Sequence, residues 1–392
     1  MYELTVKLAD WLWPIFVLST ISGCIYALFA AALLRHFAQK MTSAQPSTLD
    51  LTILKPLCGT EPELETNLAS FCKQVYSGHV QLIFGVQDPA DPAGAVVARL
   101  RAQFPELDIE FVVNPSKHGS NPKISNLINM LQHARYDILV VSDSDIRVTP
   151  DYLRVVVSEL SRRGIGLVTC LYRGIPIAGL WPNLAAAAIN QHFLPSVLVG
   201  LKLGLAYPCF GSTLALRAET LHRLGGFQAF SDQLADDYAI GTAVRALQLK
   251  VVIPRLLLGH TCSEQSLGEL LGHELRWART IRSIDPWGYA GLVATNPLPL
   301  ALIAAALQGF DVAGIGLIAL ALACRLLASL QMPAMHDGGE RGVSPWLSPL
   351  RDLLSFAIFL ASFMPLSVSW RGHRYELRSD GTLTPSQGDK GI

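Results

Sequence analysis

Residues 140–145 read Val-Val-Ser-Asp-Ser-Asp, an apolar run leading into two aspartates one residue apart. At the mouth of a buried strand, such a pair points two carboxylates into one small volume. Their repulsion is costly unless a divalent cation such as Mg2+ or Mn2+ sits between the oxygens, as in phosphate-handling sites. Taken alone, Asp143 and Asp145 are equally compatible with capping a helix that starts near Pro150–Asp151. Two further clusters follow in order, Ala-Asp-Asp-Tyr at 235–238 and His-Glu-Leu-Arg-Trp at 273–277. On a helix, His273, Arg276 and Trp277 fall at i, i+3 and i+4 and share one face.

The elements that must position these residues are legible between about 50 and 260. Leu51–Pro56, Val80–Val86, Ile109–Val113 and Ile138–Ser142 are apolar runs of strand length. Glu63–Val75, Pro92–Phe104 and Ile124–Ala134 between them have helical spacing. This alternation predicts a doubly wound α/β sheet, whose ligands gather at the carboxyl ends of the strands. Asp88 follows one strand through Gln87, and Asp143 follows another directly. The chain has no Gly-x-Gly-x-x-Gly fingerprint and no Walker loop, which disfavours a dinucleotide enzyme or a P-loop ATPase.

Apolar residues make up 51% of the chain and charged residues 16%, against a globular norm of about 25% charged. The deficit is concentrated at the two ends, which predicts a membrane protein with a soluble middle. Residues 11–34 read as a spanning helix. No basic n-region immediately precedes it and no small-residue cleavage site follows, so a signal peptide is disfavoured. Arg35, His36 and Lys40 come next and place the following domain in the cytoplasm. Gly291–Leu307 and Val312–Leu330 read as two further spans joined by a tight Gln-Gly-Phe-Asp turn. A third apolar stretch, Leu353–Trp370, follows a polar loop with Arg341 and Arg351, and is either a span or re-entrant. Counting it as a span puts the basic tail Arg371–Arg378 outside, against the charge rule. Ile175–Pro208 carries Asn183, Asn190, Gln191, His192 and Lys202 and reads as an amphipathic segment at the membrane surface. The expected organisation is a span at 11–34, a catalytic domain at 50–287 containing the interfacial segment 175–208, a membrane region at 289–370 and a tail at 371–392.

Lys+Arg and Asp+Glu balance at 31 each, and no basic stripe with interleaved aromatics points to nucleic acid. The 7 cysteines form no CxxC pair, which fits reduced or membrane-buried thiols better than disulfides or zinc.

Together the segments ILKPLCG (53–59), FGVQDPADPA (84–93), NPKISNL (121–127), DSDIRV (143–148), FGSTLALR (210–217), ADDY (235–238), HELRW (273–277) and SWRGHRYELR (369–378) resemble the ceramide-glucosyltransferase-like branch of inverting GT-A glycosyltransferases. Within that branch, LVTCLYRG (167–174) and HELRWARTIR (273–282) are similar to bacterial hopanoid-biosynthesis glycosyltransferases, which move N-acetylglucosamine from UDP-GlcNAc onto bacteriohopanetetrol. The resemblance implies a GT-A fold, a UDP-sugar donor, a membrane lipid acceptor and a multi-pass protein of the cell inner membrane. The family pattern is Asp, Asp, Asp, then Gln/Arg-x-x-Arg-Trp, matched here by Asp88, Asp143, Asp237, Arg276 and Trp277. His273 departs from it, standing where Gln or Arg is usual.

The resemblance implies a role for each group. Asp88 accepts from the uracil or ribose. Asp143 and Asp145 hold Mg2+ or Mn2+ against the diphosphate, with Asp145 less regular among relatives. Asp237 is the general base for the attacking hydroxyl, the alternative being that Asp236 and Asp237 cap a helix over Tyr238–Leu247. Arg276 contacts the diphosphate, Trp277 borders the acceptor, and His273 donates to a phosphate oxygen. A basic helix lying on anionic lipid is a compatible reading of the same segment. Lys123 contacts the nucleotide or diphosphate, or is a solvated loop lysine. His192 is a weaker candidate. Rival readings are a ceramide glucosyltransferase, a processive polysaccharide synthase, which needs more spans than about four, and a non-catalytic scaffold, disfavoured by the intact Asp143, Asp237 and Arg276–Trp277.

Overall fold

The computed structural model describes residues 2–39, 47–331 and 342–364, together with the strands Val368–Trp370, His373–Leu377 and Leu383–Pro385. Lys40, Arg341, Arg371 and Arg378, counted above for topology, lie outside the described residues. The chain divides into two compact units. One comprises Lys40–Arg173, Tyr207–Ser263 and Ser367–Ile392; the other comprises Met1–Gln39, Gly174–Ala206 and Glu264–Leu366.

The first unit is the predicted α/β layer structure. Its strands are β1 (Leu51–Pro56), β2 (Val80–Val86), β3 (Asp108–Val113), β4 (Ile138–Val141), β5 (Ile146–Arg147), β6 (Ile165–Val168), β7 (Leu171–Pro176), β8 (Leu214–Arg217), β9 (Lys250–Val252) and β10 (Leu257–Cys262). Seven of them form one mixed sheet in the order β3-β2-β1-β4-β8-β6-β9, and β5-β10-β7 form a small second sheet. β3, β2, β1 and β4 are parallel, and β8 runs antiparallel to both β4 and β6.

Side chains alternate across a strand, so β1 feeds two cores. Leu51 and Ile53 face one layer, with Leu68 and Phe71 of the helix Leu64–Cys72 and with Val96, Val97 and Leu100 of the helix Ala93–Gln103. Leu54 faces the other, with Ile124, Leu127 and Ile128 of the helix Pro122–Leu131 and with Ile240 and Val244 of the helix Asp236–Ala246. Burial on both faces explains why these strands read as continuous apolar runs.

The second unit is helical. Among the described residues, three helices are long and apolar enough to cross a membrane: Asp10–Gln39, Leu180–Leu203 and Val312–Leu330. Two features differ from expectation. Gly291–Leu307 is no straight span, because Pro286–Thr295 and Pro297–Leu307 meet at 66°. Pro297 and Pro299 lack backbone donors, and Pro297 pushes Asn296 out of helical conformation. Leu353–Trp370 is no continuous helix either: Ser348–Ser362 is a helix of 15 residues, and Val368–Trp370 is a strand paired antiparallel with His373–Leu377. Fifteen residues fall short of the ~20 that a span requires.

The segment expected to lie at the membrane surface is one continuous helix over Leu180–Leu203, with a π-helical turn at Ile189–Phe193. His192 of that turn stands 3.0 Å from Asp352, which Arg325 engages through Nε and Nη2 at 2.6–3.0 Å. Arg351, read above as a loop charge, is wholly buried and pairs bidentately with Glu274 at 2.8 Å. Small residues fill the other helix contacts, with Cys24, Ala301 and Ala321 in one cluster and Ala27, Ala31 and Ala328 in another.

Candidate active site

The parallel strands β2, β1 and β4 end side by side, with Pro56 opposite Gly85 and Leu54 opposite Val141. The chain beyond β4 delivers Asp143 to this edge, and three of its groups are held there. Its amide donates to the Gly211 carbonyl at 3.2 Å, its carbonyl accepts from Lys55 Nζ at 2.5 Å, and its Oδ1 lies 2.7 Å from Lys123 Nζ. Asp143 and Asp145 do not cap the next helix. That helix spans Tyr152–Leu160 behind Asp151, whose carboxylate accepts from the Thr149 hydroxyl at 2.6 Å.

Lys123 is no solvated loop lysine. It sits in the first turn of the helix Pro122–Leu131, whose start is fixed by Pro122 and by Asn121, which accepts from the Ile124 amide at 3.1 Å. Asn121 also donates to the Gln233 carbonyl at 2.8 Å, tying this helix start to the segment carrying the second acidic pair. Lys123 Nζ thereby bridges Asp143 and Asp236, the latter at 3.2 Å. Burial disfavours the ammonium, but Asp143, Asp236 and Asp237 outweigh it and hold the lysine charged.

Asp236 and Asp237 open the helix Asp236–Ala246 and point apart, as adjacent residues must. Asp237 Oδ2 accepts from the Gly211 amide at 2.8 Å and Oδ1 from the Tyr238 amide at 2.7 Å. Neither bond is a helix cap: the N-cap is Ala235, with no side-chain cap hydrogen bond, and Asp237 lies in the first turn, where the helix dipole favours an acidic side chain. Asp237 nonetheless belongs to the cluster: desolvation and the charge of Asp236 push its carboxyl up to about 6. A carboxylate poised there is well suited to accept a proton near neutral pH.

Asp145 is anchored from β10, where the Thr261 amide donates to its carbonyl at 2.9 Å and His260 Nδ1 stands 3.5 Å from Oδ2. Among the described residues, no three His, Cys, Asp or Glu side chains gather to hold a metal by themselves. The donor set still suits Mg2+ or Mn2+, hard ions held through one or two carboxylates with water and substrate phosphate completing the shell. Asp88 lies exposed beyond β2, its Oδ1 accepting from the Ala90 amide at 2.9 Å.

His273, Arg276 and Trp277 lie on the helix Leu267–Ile284 of the helical unit. His273 and Trp277 share a face, their ring centroids 4.3 Å apart. His273 Nδ1 stands 3.0 Å from Glu264 Oε1. With its proton on Nδ1 for that carboxylate, a neutral imidazole presents a lone pair at Nε2. Donation from Nε2 to a phosphate oxygen therefore needs the imidazolium.

Four residues escaped the sequence reading. Lys55 is wholly buried within an apolar strand; burial pushes its ammonium down to about 7, against the opposing pull of Asp145, Asp143 and Glu61. A lysine inside LTILKP was the available signal. Asp91 accepts from the Gly59 amide at 2.9 Å and the Ala93 amide at 2.9 Å, tying the loop after β1 to a helix start. His260 was hidden in the buried strand LLGHTC. Gly211 lies so close that a Cβ there would collide with Asp143 Oδ2 and lie 2.8 Å from Lys123 Nζ.

A mixed, doubly wound sheet of this order is a GT-A-like glycosyltransferase fold. Residues 15–383 match Glycosyl transferase family 21, and the chain belongs to that family of sugar-transferring enzymes. Ceramide glucosyltransferase 1 of Caenorhabditis elegans is 22% identical over 96% of this chain and 84% of its own length. Ceramide glucosyltransferase 3 of the same organism is 24% identical over 92% and 80%. The ceramide glucosyltransferase of Candida albicans is 34% identical over 28% of this chain and 22% of its own. Among solved structures, the mannosyltransferase PcManGT from Pyrobaculum calidifontis, in complex with GDP-Man and Mn2+, superposes with a TM-score of 0.51 at 20% identity, covering 90% of this chain and 93% of that one.

The close approach at Gly211 yields a direct test. Gly211→Ala forces Asp143 and Lys123 apart and is expected to lower sugar-transfer turnover by at least about tenfold, ~1.4 kcal/mol in barrier. Steady-state kinetics of the purified variant, with its thermal unfolding as the control for folding, checks this; unchanged turnover contradicts the tight packing.

Proposed function

We propose that the protein is a membrane-bound inverting glycosyltransferase that moves a sugar from a UDP-sugar onto the hydroxyl of a membrane lipid. The observation that carries this reading is the cluster at the strand ends, in which Asp143 and Asp236 converge on Lys123 and Gly211 joins Asp143 to Asp237. Family membership and apolar helices in the second unit support a lipid acceptor reached from within the bilayer.

Asp237 takes the proton of the attacking hydroxyl, while the Gly211 and Tyr238 amides hold its carboxylate in place. Lys123 carries positive charge toward the diphosphate side. Asp143 and Asp145 would hold Mg2+ or Mn2+, which when bound offsets the charge growing on the departing diphosphate. Asp88 reads the nucleoside. Arg276, Trp277 and His273 take the diphosphate and acceptor roles that the family pattern implies.

Two acceptors have specific support. The ceramide reading rests on the ceramide glucosyltransferases among the relatives. The hopanoid reading, bacteriohopanetetrol receiving N-acetylglucosamine, rests on the wording of residues 167–174 and 273–282. Purified enzyme given a panel of UDP-sugars with each lipid, followed by mass spectrometry of the lipid fraction, separates them. Polymer formed without lipid would favour a processive synthase, and absence of UDP release would favour a scaffold.

Asp237→Asn is expected to cut turnover by on the order of 10²–10⁴ while leaving UDP binding nearly intact. The base must be ionised, so wild-type turnover should climb as pH rises through about 6 and then level off. A variant retaining more than about a tenth of wild-type turnover, or a flat profile across that range, excludes Asp237 as the base.

Orientation has a native probe. Cys58 is exposed and the other 6 cysteines are buried. In a cell whose catalytic domain faces the cytoplasm, a membrane-impermeant thiol reagent labels Cys58 after permeabilisation and not before. Labelling in intact cells would place the domain outside.

A further inference from the structure

Lys55 is the penultimate residue of β1, wholly buried, with its ammonium 3.9 Å from the centroid of the Phe71 ring. A methionine would fill that space without the cost of desolvating a charge. What the charged group reaches is the turn beyond β4: Nζ donates to the Asp143 carbonyl at 2.5 Å and to the Ser142 hydroxyl at 3.3 Å. β1 and β4 are hydrogen-bonded neighbours, and the Ser142 amide donates to the Leu54 carbonyl at 3.2 Å, so the lysine lies directly beneath the turn. From above, Gly211 takes the Asp143 amide and Lys123 takes its carboxylate.

We propose that Lys55 is a positioning residue that fixes the Ser142–Asp143 turn from below, so that the Asp143 carboxylate is presented to the diphosphate side. It touches neither donor nor acceptor and acts through Asp143. The inference rests on the proposed role of Asp143 in holding the metal and diphosphate.

The test is binding of UDP and of uridine to detergent-solubilised full-length protein, with and without Mn2+, in wild type, Lys55→Met and Lys55→Gln. Loss of a hydrogen bond from a charged group corresponds to an expected loss of about tenfold or more in Mn2+-dependent UDP affinity. Uridine lacks phosphate, and its affinity should stay within about twofold, a separation that general destabilisation would not produce. The glutamine amide is too short to reach the Asp143 carbonyl, so Lys55→Gln should behave as Lys55→Met and serves if the methionine variant does not fold. UDP–Mn2+ affinity at the wild-type level in either folded variant overturns the proposal, as does equal loss for uridine and UDP. Absence of Mn2+-dependent UDP binding in wild type would instead remove the reading of Asp143 on which the proposal stands.

Discussion

Everything at the strand ends depends on keeping several carboxylates close together without letting them repel one another apart. Two unit charges 4 Å apart interact by roughly 4 kcal/mol at an effective dielectric of 20, comparable to a large part of a domain's net stability. Lys123 answers this from one side, standing between Asp143 and Asp236, while Lys55 holds the Asp143 carbonyl from beneath. The surrounding backbone serves the same end. Gly211 offers its carbonyl to Asp143 and its amide to Asp237, and a side chain there would collide with the Asp143 carboxylate. The result is a negative cluster stiffened by a fixed cation and by hydrogen-bonded amides, the preorganised arrangement that a leaving diphosphate and an attacking hydroxyl require.

The helical unit meets an opposite constraint. Its helices are apolar enough for a bilayer, yet Arg325, Asp352, Arg351 and Glu274 are buried among them. Charges in such surroundings persist when paired and hydrogen-bonded, and here each guanidinium is matched to a carboxylate. The pairs link the helix Ser348–Ser362 to Val312–Leu330 through Asp352–Arg325 and to Leu267–Ile284 through Arg351–Glu274. The second of these helices carries His273, Arg276 and Trp277.

The sheet was legible because strands buried on both faces leave long apolar runs, and β1 and β2 appear with the bounds their sequences predict. The acidic residues were legible because they stand just past those runs. Lys55 and His260 were not, since a single polar residue in a buried strand leaves the apolar run intact. The bridging role of Lys123 depends on Asn121 joining segments more than a hundred positions apart, which no local pattern carries. In the second unit, composition marked the apolar segments and missed their shape. Pro297 bends one of them, and Arg351 read as a loop charge although it is interior to a helix and paired with Glu274.

The central claim is that the cluster around Asp143 receives the diphosphate of a nucleotide sugar with a divalent cation. Calorimetric titration of UDP-sugar into wild-type protein and into Asp143→Ala, each with Mn2+ and again with excess EDTA, tests it most directly. The account predicts binding by wild type that collapses on chelation and returns with Mn2+ or Mg2+, and a variant that binds weakly under every condition. Wild-type binding that persists undiminished in EDTA, or an Asp143→Ala protein that keeps metal-dependent affinity, would contradict it.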